Sequence, residues 1–599
     1  MRPLLVLLTL FITVGATALD LPRANEKWIT LRVDEFEIVS NASPSATTDI
    51  AEDLLRMRAA VGKVTRLNVR SPLPTKVFIF ANERSFAPYR EVVFGRDADN
   101  ISGIFLGGEN GNFILLQGGS QNGVDRIVFH ELTHYFVKNT VAGLPLWVNE
   151  GIAEYYSTFK TFGDEVHIGR PIDDHVLWLR GKALIPLRDL ISVDRDSKIY
   201  NERSRQGVFY AESWALLHYL MLGSEERRGQ LTTYLALIAA HRPADEAFTA
   251  AFGVTYAQME VELRGYVRRN AFQYTRYSLR DLAMSDVQKP EPMTYAAVVF
   301  QMGHLLANSP PANAGVAEQF LAEALKANPA NAAAHADVGR LHDLAGRRRE
   351  AEESYQRAAQ LGSTDPEIYL LYGSSVISRL GDEVEIPMAD VQKARALFTR
   401  SAELDPNSAR AWAGIGATYA ASTESPMDGI AALQKSLALA PGNQEAAFYL
   451  VQLYSRSGRR ADALQLIDTI ITPAGDREMI ARSQESLLMA DMLEVESLAN
   501  ADKLPEAVAL AKTIIARTTN PALAEHVRKM IASLEEFDAT GHAIAALNDA
   551  VTKANEGRYA EALAIVDNAL PAITDPEMLE KAKELRNEVA ERAKPRKRQ

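Results

Sequence analysis

Residues 126–158 read RIVFHELTHYFVKNTVAGLPLWVNEGIAEYYST, with two histidines and a glutamate within five positions and two more glutamates four apart shortly after. A helix starting at Arg126, at about 100° per residue, puts His130 and His134 about 40° apart on one face. Val128, Leu132, Tyr135 and Phe136 gather on the other. The helix therefore packs by its apolar stripe and presents both imidazoles elsewhere. Ile127 and Val137 border the histidine face, which suits a cleft better than open water. Gly143 and Pro145 end this helix and turn the chain back. LWVNEGIAEYY then reads as a second helix, with Glu150 and Glu154 on one face, Trp147 and Val148 near its start, and Ile152 and Tyr156 available for a core.

The spacing H-E-x-x-H has a mechanical reason. Nitrogens one helical turn apart can grip a single tetrahedral zinc ion, and the glutamate between them, Glu131, can take a proton from a metal-bound water. Zinc needs a third protein ligand, and the returning helix brings Glu150 or Glu154 to the histidines. Alone, H-E-x-x-H recurs by chance in helices; joined to N-E-G-x-A-E at this distance it points to a zinc ion.

The rest of the chain sets the context. At 599 residues it divides into several domains, and 47% hydrophobic with 24% charged residues is a globular composition. A net charge of -12 excludes nucleic acid as a main partner, because phosphate neutralisation needs clustered lysine and arginine. The basic end, KPRKRQ, reads as a solvated tail. MRPLLVLLTLFITVGATALD has the order of a secretory signal: one Arg, a short apolar run, then small residues. Cleavage near Ala18 is expected, giving an exported, periplasmic protein without a transmembrane segment. With no cysteine there is no disulfide framework, so core packing must carry the fold.

Between the signal and the histidines a small sheet is expected. DEFEIVS alternates Phe36 and Ile38 with polar residues, TKVFIFA suits a buried strand, and Asp49 to Val64 has helical spacing. SGIFLGGENGNFILLQG reads as a hairpin turning between Gly107 and Asn112. Its second strand, Phe113 to Gln117, is the expected edge for pairing with an extended peptide.

HELTH followed by NEGIAEY resembles the gluzincin metallopeptidases, among them thermolysin and the aminopeptidase N-like enzymes. More closely, the pair resembles peptidase-MA-like exported proteins that join these motifs to helical repeats. The resemblance spans roughly residues 28 to 270 and is firm at the two motifs. It implies an α+β zinc metallopeptidase-like domain with His130, His134 and Glu150 as metal ligands, Glu131 as general base and Glu154 orienting a ligand histidine. The fifteen residues between His134 and Glu150 are fewer than in the thermolysin and aminopeptidase N subgroups. Related sequences place a tyrosine at the start of a helix such as GVFYAESWALLHYL. Tyr210 is accordingly the candidate oxyanion donor, and His218, among Leu216, Leu217, Tyr219 and Leu220, reads as a core histidine. GGENG echoes an aminopeptidase element whose glutamate binds a free amine, here Glu109, although a hairpin tip explains the same residues.

After SDVQKPEPMTY, read as a linker, the sequence turns Ala- and Leu-rich with recurring blocks. Pro329, Pro366, Pro406 and Pro441, each expected to close a helix, recur at spacings of 37, 40 and 35 residues. Gly339 and Gly373 stand 34 apart at equivalent positions, and Gly416 follows an insert near LGDEVEIPM. The blocks resemble tetratricopeptide repeats, helix pairs that bury their apolar faces only against neighbours. The expected division is 1–18 signal, 19–285 metallopeptidase-like domain, 286–475 an all-α tetratricopeptide solenoid, and 476–599 degenerate repeats with a basic tail. The expected function is a zinc-dependent peptidase whose repeats recruit a protein substrate or partner. The alternatives are a non-catalytic scaffold with a vestigial zinc domain, and a zinc hydrolase acting on another bond.

Overall fold

The computed structural model describes residues 19–65, 67–69, 75–94, 103–107, 111–118, 126–140, 144–194, 197–201, 203–240, 242–309, 313–380, 387–518 and 520–594. The signal, Glu109 and Gly143 lie outside these residues. Contacts divide the chain into two units: one runs to Tyr449 and includes Thr469–Gly475, and the other holds Leu450–Asp468 and everything from Asp476.

The first unit begins with β1 (Ile29–Val33), β2 (Phe36–Ser40), α1 (Pro44–Val64), β3 (Thr75–Phe80), α2 (Glu83–Phe94), β4 (Gly103–Gly107) and β5 (Asn112–Gln117). Ser43 caps α1 through the Ala46 amide and Pro44 occupies its first turn, so the helix starts five residues before the expected Asp49. The strands form one sheet in the order β4-β5-β3-β2-β1, to which a further strand is added at the β1 side. β2, β3 and β5 pair in parallel, and β4 closes on β5 as the expected hairpin, Gly107 opposite Asn112. β5 is therefore interior, and the edge strand at this end of the sheet is β4. This corrects the expected edge, because the hairpin's second strand is claimed by β3.

Strand alternation divides the sheet into two cores. Phe36, Ile38, Val77, Ile79, Ile114 and Leu116 face one way, and Val39, Phe78, Phe80, Phe113 and Leu115 the other. A parallel central sheet is buried on both faces, and each face has its own cover here. The first shares its core with α1 and with the elements that follow β5: α3 (Arg126–Thr140), α4 (Leu146–Ser157), β7 (Glu165–Ile168), α5 (Asp173–Gly181), α6 (Leu187–Ser192), α7 (Lys198–Asn201), α8 (Arg203–Leu222), α9 (Glu225–Ala239), α10 (Ala244–Phe252), α11 (Tyr256–Val267) and β8 (Thr275–Ser278), while β6 (Lys160–Phe162) lies between α4 and β7 in the chain. β6, β7 and β8 make a small antiparallel sheet.

The expected linker is part of the fold. Its β9 (Glu291–Pro292) pairs with β1 and extends the main sheet. The second face is covered by α2 together with α12 (Tyr295–Ala307), α13 (Ala314–Ala327) and residues of α14 (Ala332–Leu344): Val298, Val299, Met302, Leu305, Phe320 and Leu321 join Phe78, Phe80 and Phe113. Residues on both sides of the expected 285/286 boundary thus share one core.

Helix pairs continue through α15 (Arg348–Gln360), α16 (Pro366–Leu380), α17 (Met388–Leu404), α18 (Ala409–Ala420), α19 (Met427–Leu439), α20 (Gln444–Arg456), α21 (Arg460–Leu466) and the short α22 (Thr472–Ala474). A Cβ on Gly339, Gly373 or Gly416 would come within 3.1 Å of Tyr355, Phe398 or Leu433 on the next helix, so these glycines mark where each pair touches. Gly303, 3.0 Å from Leu321 by the same measure, marks an earlier helix pair inside the expected 286–475 solenoid, one without a quoted repeat block or a matching glycine in the sequence reading. Pro366 opens α16 rather than closing a helix, at a position where its missing N–H costs nothing. The second unit takes α20 from Leu450 and α21, together with α23 (Arg477–Asn500), α24 (Leu504–Arg517), α25 (Pro521–Asn555), α26 (Tyr559–Ala569) and α27 (Pro576–Arg592), and it has its own apolar clusters along the later helices. No helix among the described residues is long and apolar enough to cross a membrane.

Candidate metal centre

α3 turns Val128, Leu132 and Phe136 into the core, all 1% exposed or less, and leaves His130 and His134 half-buried on its other side. α4 runs antiparallel to it: Asn149 and Glu150 lie beside His134, and Glu154 lies beside His130. Pro145 caps α4 and sets its start. Gly151 lets α4 approach α8, since a Cβ there would meet the Ser213 carbonyl oxygen at 2.7 Å and Leu217 at 2.9 Å. The glycine after Glu150 is thus a packing requirement that seats the glutamate.

Three donor atoms converge. His130 Nε2 and His134 Nε2 are 3.0 Å apart, and Glu150 Oε2 is 3.4 Å from the first and 3.2 Å from the second. A tetrahedral zinc ion at about 2.0–2.1 Å from each ligand requires donor atoms roughly 3.3–3.4 Å apart, so the triangle matches one face of that tetrahedron. The chemistry agrees, since two neutral imidazoles and one carboxylate make a common zinc donor set. Burial favours a neutral Glu150, but the hydrogen bonds and charges of His130 and His134 outweigh it and hold the carboxyl at about 2. Burial pulls His134 down, yet Glu150, then the charge of Glu131 and the bond to Asn149, raise it overall. Protons therefore compete with a metal for the same electrons.

The outer atoms of the ligands are also held. His134 Nδ1 donates to Asn149 Oδ1 at 3.2 Å, and His130 Nδ1 lies 3.4 Å from Glu154 Oε1, which together present both Nε2 lone pairs to the centre. Glu154 is buried and accepts from Arg126 at 2.7 Å. His175, on α5, places Nε2 3.3 Å from Glu154 Oε2, a close contact without hydrogen-bond alignment. Burial would raise the Glu154 carboxyl, but His175, His130 and Arg126 bring it below its usual range. Glu131 is half-buried and makes no part of the triangle.

Tyr210 packs its ring perpendicular to His130, with centroids 6.1 Å apart. His218 is remote from this chemistry: fully buried, it donates from Nε2 to the Gly169 carbonyl and accepts at Nδ1 from the Tyr266 hydroxyl, both at 2.7 Å. Sequence reasoning missed Asn149 as a partner of His134, and missed Arg126, His175 and Tyr200. The Tyr200 hydroxyl lies 3.4 Å from Glu150 Oε1. Asn149 could have been found from its place beside Glu150; the others carry no local signal.

Residues 126–245, which hold the whole triangle, match a family described as a protein of unknown function, DUF1570. Residues 426–487 match the tetratricopeptide repeat family, so the chain carries tetratricopeptide repeats. No curated protein matches the chain by sequence. Among solved structures it is similar to YrrB, described as a TPR protein with an unusual peptide-binding site, at 17% identity over 32% of this chain and 92% of that one, with a TM-score of 0.26. It is also similar to PilF of Pseudomonas aeruginosa, at 17% identity over 39% and 97% with a TM-score of 0.29, and to a thermophilic TPR protein of Thermus thermophilus, at 20% identity over 32% and 99% with a TM-score of 0.27.

Proposed function

We propose that this chain is an exported protein-binding scaffold whose tetratricopeptide repeats bring a partner polypeptide to a zinc centre, and that the centre hydrolyses peptide bonds. The repeats support recruitment, because stacked helix pairs present extended surfaces that hold peptides. The observation that carries the chemistry is the triangle of His130, His134 and Glu150 with Glu131 beside it but outside it. Such a set would hold zinc and leave one position open, and the bound metal would supply Lewis acidity and an acidified water. Glu131, next to His130 in the chain and near enough for its charge to act on His134, would accept the proton of that water. Tyr210, against His130, is the candidate donor to a developing oxyanion. β4, beside the zinc helix and paired on one side, is the strand an extended polypeptide would join.

A second reading shares the recruitment and omits the reaction: the repeats do the work, and the metal domain is a vestigial or peptide-holding module. The family matches favour it, since they name repeats and a family of unknown function. The two readings part at Glu131. Glu131→Gln should retain zinc and partner binding while lowering peptide hydrolysis by about 10²- to 10⁴-fold, the usual worth of a general base. A deletion strain fully rescued by Glu131→Gln at wild-type expression would leave the scaffold as the function.

A further inference from the structure

Glu150 has two oxygens, and they do different things. Oε2 completes the triangle with the histidine nitrogens, while Oε1 faces the hydroxyl of Tyr200, on α7, at 3.4 Å. That distance is long for a hydroxyl donating to a carboxylate. The hydroxyl is held there by its ring, which packs edge-on to Phe209 at 5.9 Å and to Tyr210 at 6.3 Å, and Tyr210 in turn packs edge-on to His130. A continuous ring of contacts thus runs from Glu150 through Tyr200 and Tyr210 to His130. A glutamate can offer a metal one oxygen or two. A donor on the outer oxygen favours one, by occupying its lone pair and fixing the carboxylate's rotation.

Resting on the zinc reading above, we infer that Tyr200 is a positioning residue that keeps Glu150 a single-oxygen ligand and so keeps the fourth position open for water. It acts through Glu150 and not on the substrate. Its sequence position, between Ile199 and Asn201 in a four-residue helix, gives no hint of this, because the contact spans 50 residues of chain.

Tyr200→Phe tests it, because phenylalanine keeps the packing on Phe209 and Tyr210 and removes only the hydroxyl. The measurements are zinc affinity, by competition with a chromophoric chelator, and the visible spectrum of the protein loaded with cobalt(II), whose absorption weakens when a fourth ligand becomes a fifth. The expected result is zinc bound about 10- to 100-fold more weakly, as for other groups that orient a ligand, with a weaker cobalt band and unchanged circular dichroism of the metal-free protein. Wild-type affinity and an unaltered cobalt spectrum in Tyr200→Phe would overturn the inference while leaving the zinc reading intact. Failure of the wild-type chain to bind either metal would overturn both.

Discussion

Single side chains decide the centre, and their substitutions should separate ligation from support. Glu150→Ala removes one vertex of the triangle and should strip most of the zinc, read by metal analysis after dialysis. Glu154→Ala leaves the triangle whole and loosens His130, so zinc should be retained but held about 10- to 100-fold less tightly. Full zinc in the first variant and loss in the second would show that the glutamates had been assigned the wrong way round. Gly151→Ala tests the packing argument: a methyl 2.7 Å from the Ser213 carbonyl oxygen must push α4 from α8, which should cost about 1–3 kcal/mol of stability and weaken zinc binding as well.

Helices and strands decide where the chain can be cut. The face of Phe78, Phe80 and Phe113 is covered by α12, α13 and part of α14, so a fragment of residues 19–285 would expose it to water. That fragment should be insoluble or aggregated, whereas residues 19–346, which keep the covering helices, should be monodisperse and bind zinc. Size-exclusion chromatography of both fragments checks this; a well-folded 19–285 would show that the shared core is dispensable. α8 adds a pH signature. Burial pushes Glu212 up to about 8, against one hydrogen bond from the Ile185 amide. Its contribution to stability is present below about pH 4.5 and lost as pH rises through about 8. Burial pulls His218 down to about 4, so its contribution is present above pH 6.5 and lost as pH falls through about 4. Glu212→Gln should flatten the alkaline limb of the stability profile and leave the acid limb; urea midpoints from pH 4 to 9 would show it.

Two contact units in one chain imply two cooperative transitions, because each has its own apolar clusters. On the proposed reading, zinc would bind native structure in only one of them, the unit that holds His130, His134 and Glu150. Saturating zinc at 100 times its dissociation constant should stabilise that transition by about 2.7 kcal/mol and leave the other unmoved. Differential scanning calorimetry with and without chelator distinguishes the two. A chelator that lowers both transitions equally would mean that the units unfold as one.

What the sequence alone determined is whatever repeats over a few residues. The 3.6-residue period of α3 separated core from histidine face, the alternation of β2 and the short apolar runs of β3 and β5 identified strands, and recurring glycines and prolines marked the repeats. These patterns are legible because each residue answers to its near neighbours along the backbone. Tertiary structure decided what depends on contacts between distant segments. It made β5 interior and left β4 at the edge, turned the linker into β9, and set α12 and α13 against the sheet. It also brought Glu150 to the triangle and set Glu154 against His130, as the family resemblance implied, because both lie on one face of α4 and helical period alone left the choice open. Tyr200 and His175 belong to the centre for the same reason: they reach it through space, from stretches whose own sequence carries no period.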